Sequence, residues 1–153
     1  SASASLGDFS SDPAVFGSTI FATGAFGETF AASTNGRVLW RNNIGSSSRL
    51  IVSGNSAFFS SNNKFLGRLN SKNGKIVFLK RFPGKNWVKY FGPILLQNKL
   101  LVLGTDKNAY WFSPDDGRLL NKEKLGSKIA SPPIVANKKL MFVSENGMLS
   151  ILN

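Results

Sequence analysis

One stretch limits what this chain can fold into more than any other. Asn35-Gly36-Arg37-Val38-Leu39-Trp40 reads as a tight turn feeding an apolar strand. It returns as Asn73-Gly74-Lys75-Ile76-Val77-Phe78 and, more weakly, as Asp116-Gly117-Arg118-Leu119-Leu120. The three glycines lie 38 and 43 residues apart. A period of about 40 residues belongs to propeller blades and other stacked repeats, whose units bury their apolar faces only against one another. Asn-Gly favours a two-residue type I′ turn, in which both central residues take positive φ. Asn35-Gly36 is therefore expected to be such a turn, followed by the last strand of a unit.

Taken in order, the chain divides into units at 1–45, 46–84, 85–126 and 127–153. Each reads strand, turn, strand, turn, strand, turn, strand, except the last, which stops at its third strand. The first strands align at Val15, Val52, Leu95 and Val135, spaced by 37, 43 and 40 residues. Unit one offers strands around 12–16, 19–23, 28–32 and 37–41. Unit two has 50–52, 56–60, 65–69 and 75–80, with a turn at Asn62-Asn63. Unit three has 92–96, 99–103, 109–112 and 118–120; unit four has 131–135, 139–143 and 148–152. Continuous apolar runs at Leu100–Leu103 and Leu140–Val143 predict strands covered on both faces. No stretch keeps a 3.6-residue apolar period long enough for a helix. The expected fold is all-β: about four propeller blades of four antiparallel strands, in a single partial propeller spanning 1–153, part of a larger ring of about seven or eight blades. The alternatives are two chains completing one ring and a closed four-bladed ring in which the leader supplies the missing strand.

Composition narrows the chemistry. Hydrophobic residues make up 42% of the 153, a globular proportion. No apolar run reaches the length of about 18 residues that a membrane-spanning helix needs. Ser1-Ala2-Ser3-Ala4-Ser5 has neither the basic nor the apolar region of an intact signal peptide, as expected of a processed chain or a fragment. Cys and His are both absent, which removes thiol and imidazole catalysis and the usual zinc ligands. Asp12, Asp106, Asp115, Asp116 and Glu145 fall in or beside predicted turns and are expected to be solvated there. Asp115-Asp116-Gly117 lacks the ligands of a calcium loop. Gly24-Ala25-Phe26-Gly27-Glu28-Thr29 lacks the Gly-Lys-Ser/Thr of a phosphate loop.

The net charge is +11, concentrated in residues 46–84, which hold seven basic groups and no acidic one. Such a field favours association with anionic partners, although basic character alone also serves solubility. Lys80 to Phe91 interrupts the repetition. It sets Lys80, Arg81, Lys85 and Lys89 among Phe82, Trp87, Tyr90 and Phe91, in a long connection between two blades. Cations beside rings are what a partner surface would use; packing of the rings into the core is the plainer reading. The candidate partner-binding residues are Arg81, Lys85, Trp87, Lys89 and Tyr90. The structural repeat positions are Gly36, Trp40, Gly74, Phe78, Gly117 and Gly147.

Four motifs in register resemble the pyrroloquinoline-quinone-type (PQQ-like) β-propeller repeat, over nearly the whole chain. Pro133-Ile134-Val135 matches its first strand and Lys139-Leu140-Met141-Phe142-Val143 its second. Asn146-Gly147-Met148-Leu149-Ser150-Ile151-Leu152 matches the third strand, and Asn35 to Trp40 the fourth. Phe78 and Asn121 stand where the repeat has tryptophan, which leaves regular blade-to-blade docking open at those joints. The resemblance implies a non-catalytic protein-interaction scaffold of the outer-membrane barrel-assembly propeller lipoprotein type. Such a chain would work in the periplasm or at the outer membrane of a Gram-negative bacterium, hold no cofactor and meet its partner through inter-blade loops. The alternatives are the propeller part of a quinone-dependent dehydrogenase, whose vicinal Cys pair is absent, and a propeller binding nucleic acid or another anionic ligand, the latter not favoured. Open blade edges also point to self-association.

Overall fold

The computed structural model describes residues 11–24, 27–46, 48–61 and 64–152. The leader and the Asn62-Asn63 turn lie outside these residues, as does the middle of the Gly24–Gly27 loop. The regular elements described are 15 strands in four antiparallel sheets, each laid down in chain order. The first sheet comprises β1 (Ala14–Phe16), β2 (Thr19–Thr23), β3 (Thr29–Ser33) and β4 (Val38–Asn42). The second comprises β5 (Ile51–Ser53), β6 (Ser56–Ser61), β7 (Phe65–Asn70) and β8 (Ile76–Arg81). The third comprises β9 (Tyr90–Leu96), β10 (Lys99–Gly104), β11 (Asn108–Phe112) and β12 (Leu119–Lys124). The fourth has β13 (Ile134–Ala136), β14 (Lys139–Val143) and β15 (Leu149–Leu152). The fold is thus the expected all-β stack of antiparallel sheets, in which β1 touches β5 and β5 touches β9.

The turns differ from expectation at the opening motif. Asn35-Gly36 is not a two-residue turn, because only Gly36 has positive φ (88°). The Ser33 amide donates to the Arg37 carbonyl (2.9 Å) and the Gly36 amide to the Ser33 carbonyl (2.8 Å), closing a three-residue loop. Beyond the loop, β4 carries an extra residue, Leu39, which shifts the register between Ala31 and Ala32 on β3. The same shift recurs between β7 and β8 and between β11 and β12. Two-residue turns with both φ positive occur instead at Gln97-Asn98 and Asn137-Lys138, the backbone that type I′ demands.

The core lies between sheets. Successive strand residues point to opposite faces, so Phe59 packs toward the first sheet while Phe58 packs toward the third. Leu100 and Val102 face the second sheet, and Leu101 and Leu103 face the fourth. All four are fully buried, as their apolar run predicts; each such side chain contributes about 2 kcal/mol. The run Leu140–Val143 departs from that expectation. Leu140 and Phe142 are buried against the third sheet, but Val143 is 40% exposed, since among the described residues the fourth sheet packs on one neighbour only.

Antiparallel order gives every sheet two distinct ends. The β1–β2 and β3–β4 hairpins, and their counterparts, lie at one end, called here the turn end. The second hairpin of each sheet and the connections between sheets lie at the other, the connection end.

Candidate partner surface at the connection end

The long connection predicted over Lys80 to Phe91 is shorter than its sequence suggests. Lys80 and Arg81 finish β8, Tyr90 and Phe91 begin β9, and only residues 82–89 form the loop. Phe82, Val88 and Tyr90 turn inward and are 4%, 4% and 6% exposed. The Phe82 and Tyr90 rings stack with centroids 4.2 Å apart. Gly84 lies over the Tyr90 hydroxyl so closely that a Cβ there would stand 1.9 Å from it. Backbone bonds hold the ends of the loop: the Phe82 amide donates to the Lys64 carbonyl (2.8 Å) and the Thr105 amide to the Lys89 carbonyl (2.9 Å). The Lys89 amide also donates to Thr105 Oγ1 at 3.0 Å.

The tip that remains is exposed and polar except for one ring. Trp87 is 64% exposed, and Lys85, Asn86 and Lys89 surround it in sequence, also exposed. Arg81 donates to Asn86 Oδ1 at 3.1 Å, which steadies the tip from the strand below. Trp87 and Lys89 overhang a cleft of about 390 Å³ between the third and fourth sheets, shared with Phe91, Thr105, Lys128, Ile129, Ala130 and Glu145. Lys128 and Glu145 form an ion pair at 2.7 Å on its rim. Arg81, Lys85 and Tyr90 line a smaller recess on the opposite flank of the loop, beside Lys64. The five candidates therefore fall into two groups, and Tyr90 belongs to the core. Phe91, Thr105, Lys128 and Glu145 are not among the partner candidates that the sequence offers. The repeat register holds the signal for them, because it places second hairpins and inter-sheet connections at one end.

Asp106 is not the solvated turn residue expected. It is half-buried and accepts the Tyr110 hydroxyl through Oδ2. Burial pushes the Tyr110 phenol well above the usual tyrosine range, reinforced by that bond to Asp106. Burial likewise raises Tyr90. Asp116 is held below the usual carboxylate range chiefly by the backbone amide of Arg118, which donates to it at 3.1 Å. Among the described residues no three acidic side chains gather as a metal site would require.

The repeat positions join the sheets. The Trp40 ring covers Gly74, where a Cβ would come within 2.4 Å of it, and Trp40 Nε1 donates to the Ser71 carbonyl at 2.8 Å. Phe78 covers Gly117 in the same way, with a would-be Cβ 2.6 Å from its ring. Phenylalanine thus docks where the repeat has tryptophan. Asn121 is exposed and makes no such joint. Gly147 lies in a second hairpin rather than a third, and none of the described residues stands within 4 Å of its would-be Cβ.

A sequence profile of the family described as outer membrane protein assembly factor BamB matches residues 1–80. The protein of that name from Legionella pneumophila (strain Paris) is 28% identical over 97% of this chain and 38% of its own length. The crystal structure of BamB from Moraxella catarrhalis superposes with a TM-score of 0.81 at 16% identity, over 92% of this chain and 42% of that one. The computationally designed Ika4 protein superposes with a TM-score of 0.77 at 11% identity, over 99% of this chain and 94% of its own. The chain spans less than two fifths of the length of the curated relatives it matches.

Proposed function

Because the chain belongs to the family of outer membrane protein assembly factor BamB, we propose that it is a non-catalytic scaffold that engages a protein partner during outer-membrane protein assembly. The family relationship supports the periplasmic face of an outer membrane as its place of work. The observation that carries the reading is Trp87. A large ring standing 64% exposed on a loop pinned at both ends is a preformed anchor. Its loop loses little freedom on binding, and tryptophan and arginine dominate the energetics of partner surfaces. Lys85 and Lys89 beside it add attraction for an acidic rim on the partner and a faster encounter.

The test is site-specific cross-linking in cells. A photoreactive side chain at position 87 is expected to trap one envelope protein, and Arg81→Glu with Lys85→Glu to reduce that adduct. A control at exposed Leu120 on β12 should not trap it. Adducts that are the same at both positions, or none at 87, would overturn the reading.

A further inference from the structure

The turn end of the sheets carries a second surface, made of residues that the partner cleft does not use. Arg37, Lys72, Lys75, Arg118, Lys138 and Lys139 lie in or directly beside first and third hairpins, and all are exposed. None of them forms an ion pair among the described residues, where the ion pairs, Arg41–Glu28 and Lys128–Glu145, stand at the connection end. The acidic residues of these hairpins are Asp115 and Asp116, and Asp116 already accepts the Arg118 amide.

A cation, then two exposed apolar side chains, opens the outer strand of three successive sheets. The triads are Arg37-Val38-Leu39, Lys75-Ile76-Val77 and Arg118-Leu119-Leu120. Every apolar member is between 40% and 49% exposed. A groove of about 360 Å³ opens at the same end between the first and second sheets, with Phe16, Phe21 and Leu39 inside it and Asn55 and Lys72 at its edge.

We infer that the turn end docks on an anionic lipid surface. Its Arg and Lys side chains meet headgroup phosphates, while the apolar pairs and the groove enter the boundary of the acyl region. Basic and apolar groups set side by side suit a membrane interface, where each supplies an attraction that the other lacks. A soluble polyanion would satisfy the cations and leave the apolar pairs in water. A single protein epitope would not call for the same triad on three sheets, whereas a laterally uniform surface does.

Flotation of the full chain with phosphatidylcholine vesicles, with and without phosphatidylglycerol, tests this. Binding is expected only when phosphatidylglycerol is present, and it should weaken as salt rises. Lys72→Glu with Lys75→Glu should reduce it by at least ~10-fold. Lys138→Glu with Lys139→Glu provides an independent pair in another sheet, should the first disturb folding. Leu39→Ser with Val77→Ser should also weaken vesicle binding, yet leave binding to dextran sulfate unchanged. Trp87→Ala should leave vesicle binding intact, which separates this surface from the partner cleft. Equal binding to neutral vesicles, or binding that survives both charge reversals, would overturn the inference. So would serine variants that bind vesicles as the parent does, the mark of a site for soluble polyanions such as nucleic acid.

Discussion

Gly74 and Gly117 each lie under an aromatic ring of the preceding sheet, while Gly36, in the same place in its own sheet, lies under none of the described residues. All three have positive φ, so an added Cβ strains each by about 1 kcal/mol. At Gly74 that Cβ must also displace the Trp40 ring, and overpacking of this kind costs about 1–3 kcal/mol more. Gly74→Ala should therefore destabilise the protein by about 2–4 kcal/mol and Gly36→Ala by about 1 kcal/mol, read from urea unfolding of the two variants. Equal losses would mean that the ring does not hold the joint. Tyr110 sets the other residue-level expectation. Its phenol is raised by burial and by its bond to Asp106, so the folded state holds the proton more tightly than the unfolded chain. Stability from this source is complete below the ordinary tyrosine value of 10.0. It is lost as pH climbs above that value toward the folded one. Tyr110→Phe should flatten the decline in melting temperature above pH ~10; an unchanged slope would contradict the burial argument. The sequence could not reveal this pair. Asp106-Lys107-Asn108 has the composition of a solvated turn, and only the fold brings Tyr110, four residues on, back over the carboxylate.

Among the elements, apolar strands bounded by clear turns are the most legible. β2 and β14 run as predicted, at 19–23 and 139–143, because their apolar and β-branched residues stand between clear turn signals. β12 is longer than its sequence predicts: the apolar run points to 118–120, and the strand runs from Leu119 to Lys124. Its second half, Asn121-Lys122-Glu123-Lys124, has no apolar residue to report a strand. It is held by pairing with β11 alone and is exposed along its whole length. Tyr90 is ambiguous in sequence for a different reason. Lying among lysines, it is both a partner candidate and, on the plainer reading, a core ring, and the structure takes the core: Gly84 makes room for its hydroxyl and Phe82 stacks on its ring. The opening Asn-Gly motif was located correctly and its geometry was not, since one extra loop residue replaces a two-residue turn with a three-residue loop. These contrasts have a measurable consequence. Amide hydrogens of β10, whose Leu100–Leu103 are fully buried, should exchange the slowest. Those at the free edge of β12 should exchange far faster, near the rate of local fraying. Comparable protection in the two strands would imply that β12 is covered by something in solution.

For the whole molecule, the sheet stack was legible because a period of about 40 residues leaves few architectures open. The docking rule was legible only in part. A tryptophan at 40 announces a joint, whereas the phenylalanine at 78 shows its equivalence only once its ring is seen on Gly117. The surfaces were the least legible. Trp87 is visible in sequence, but its cleft combines residues from four separate segments, and a linear reading cannot assemble them. In the functions proposed above, the two ends of the stack divide the work: partner capture at the connection end, and attachment to a lipid surface at the turn end. The partner claim is the one on which the rest of the function depends. Its most direct test is the affinity of Trp87→Ala for the protein trapped at position 87, measured beside its melting temperature. The account predicts binding weaker by ~30-fold, as for loss of a central aromatic anchor, with the melting temperature unchanged because the side chain is exposed. Unaltered affinity, or affinity lost only together with the melting temperature, would contradict it.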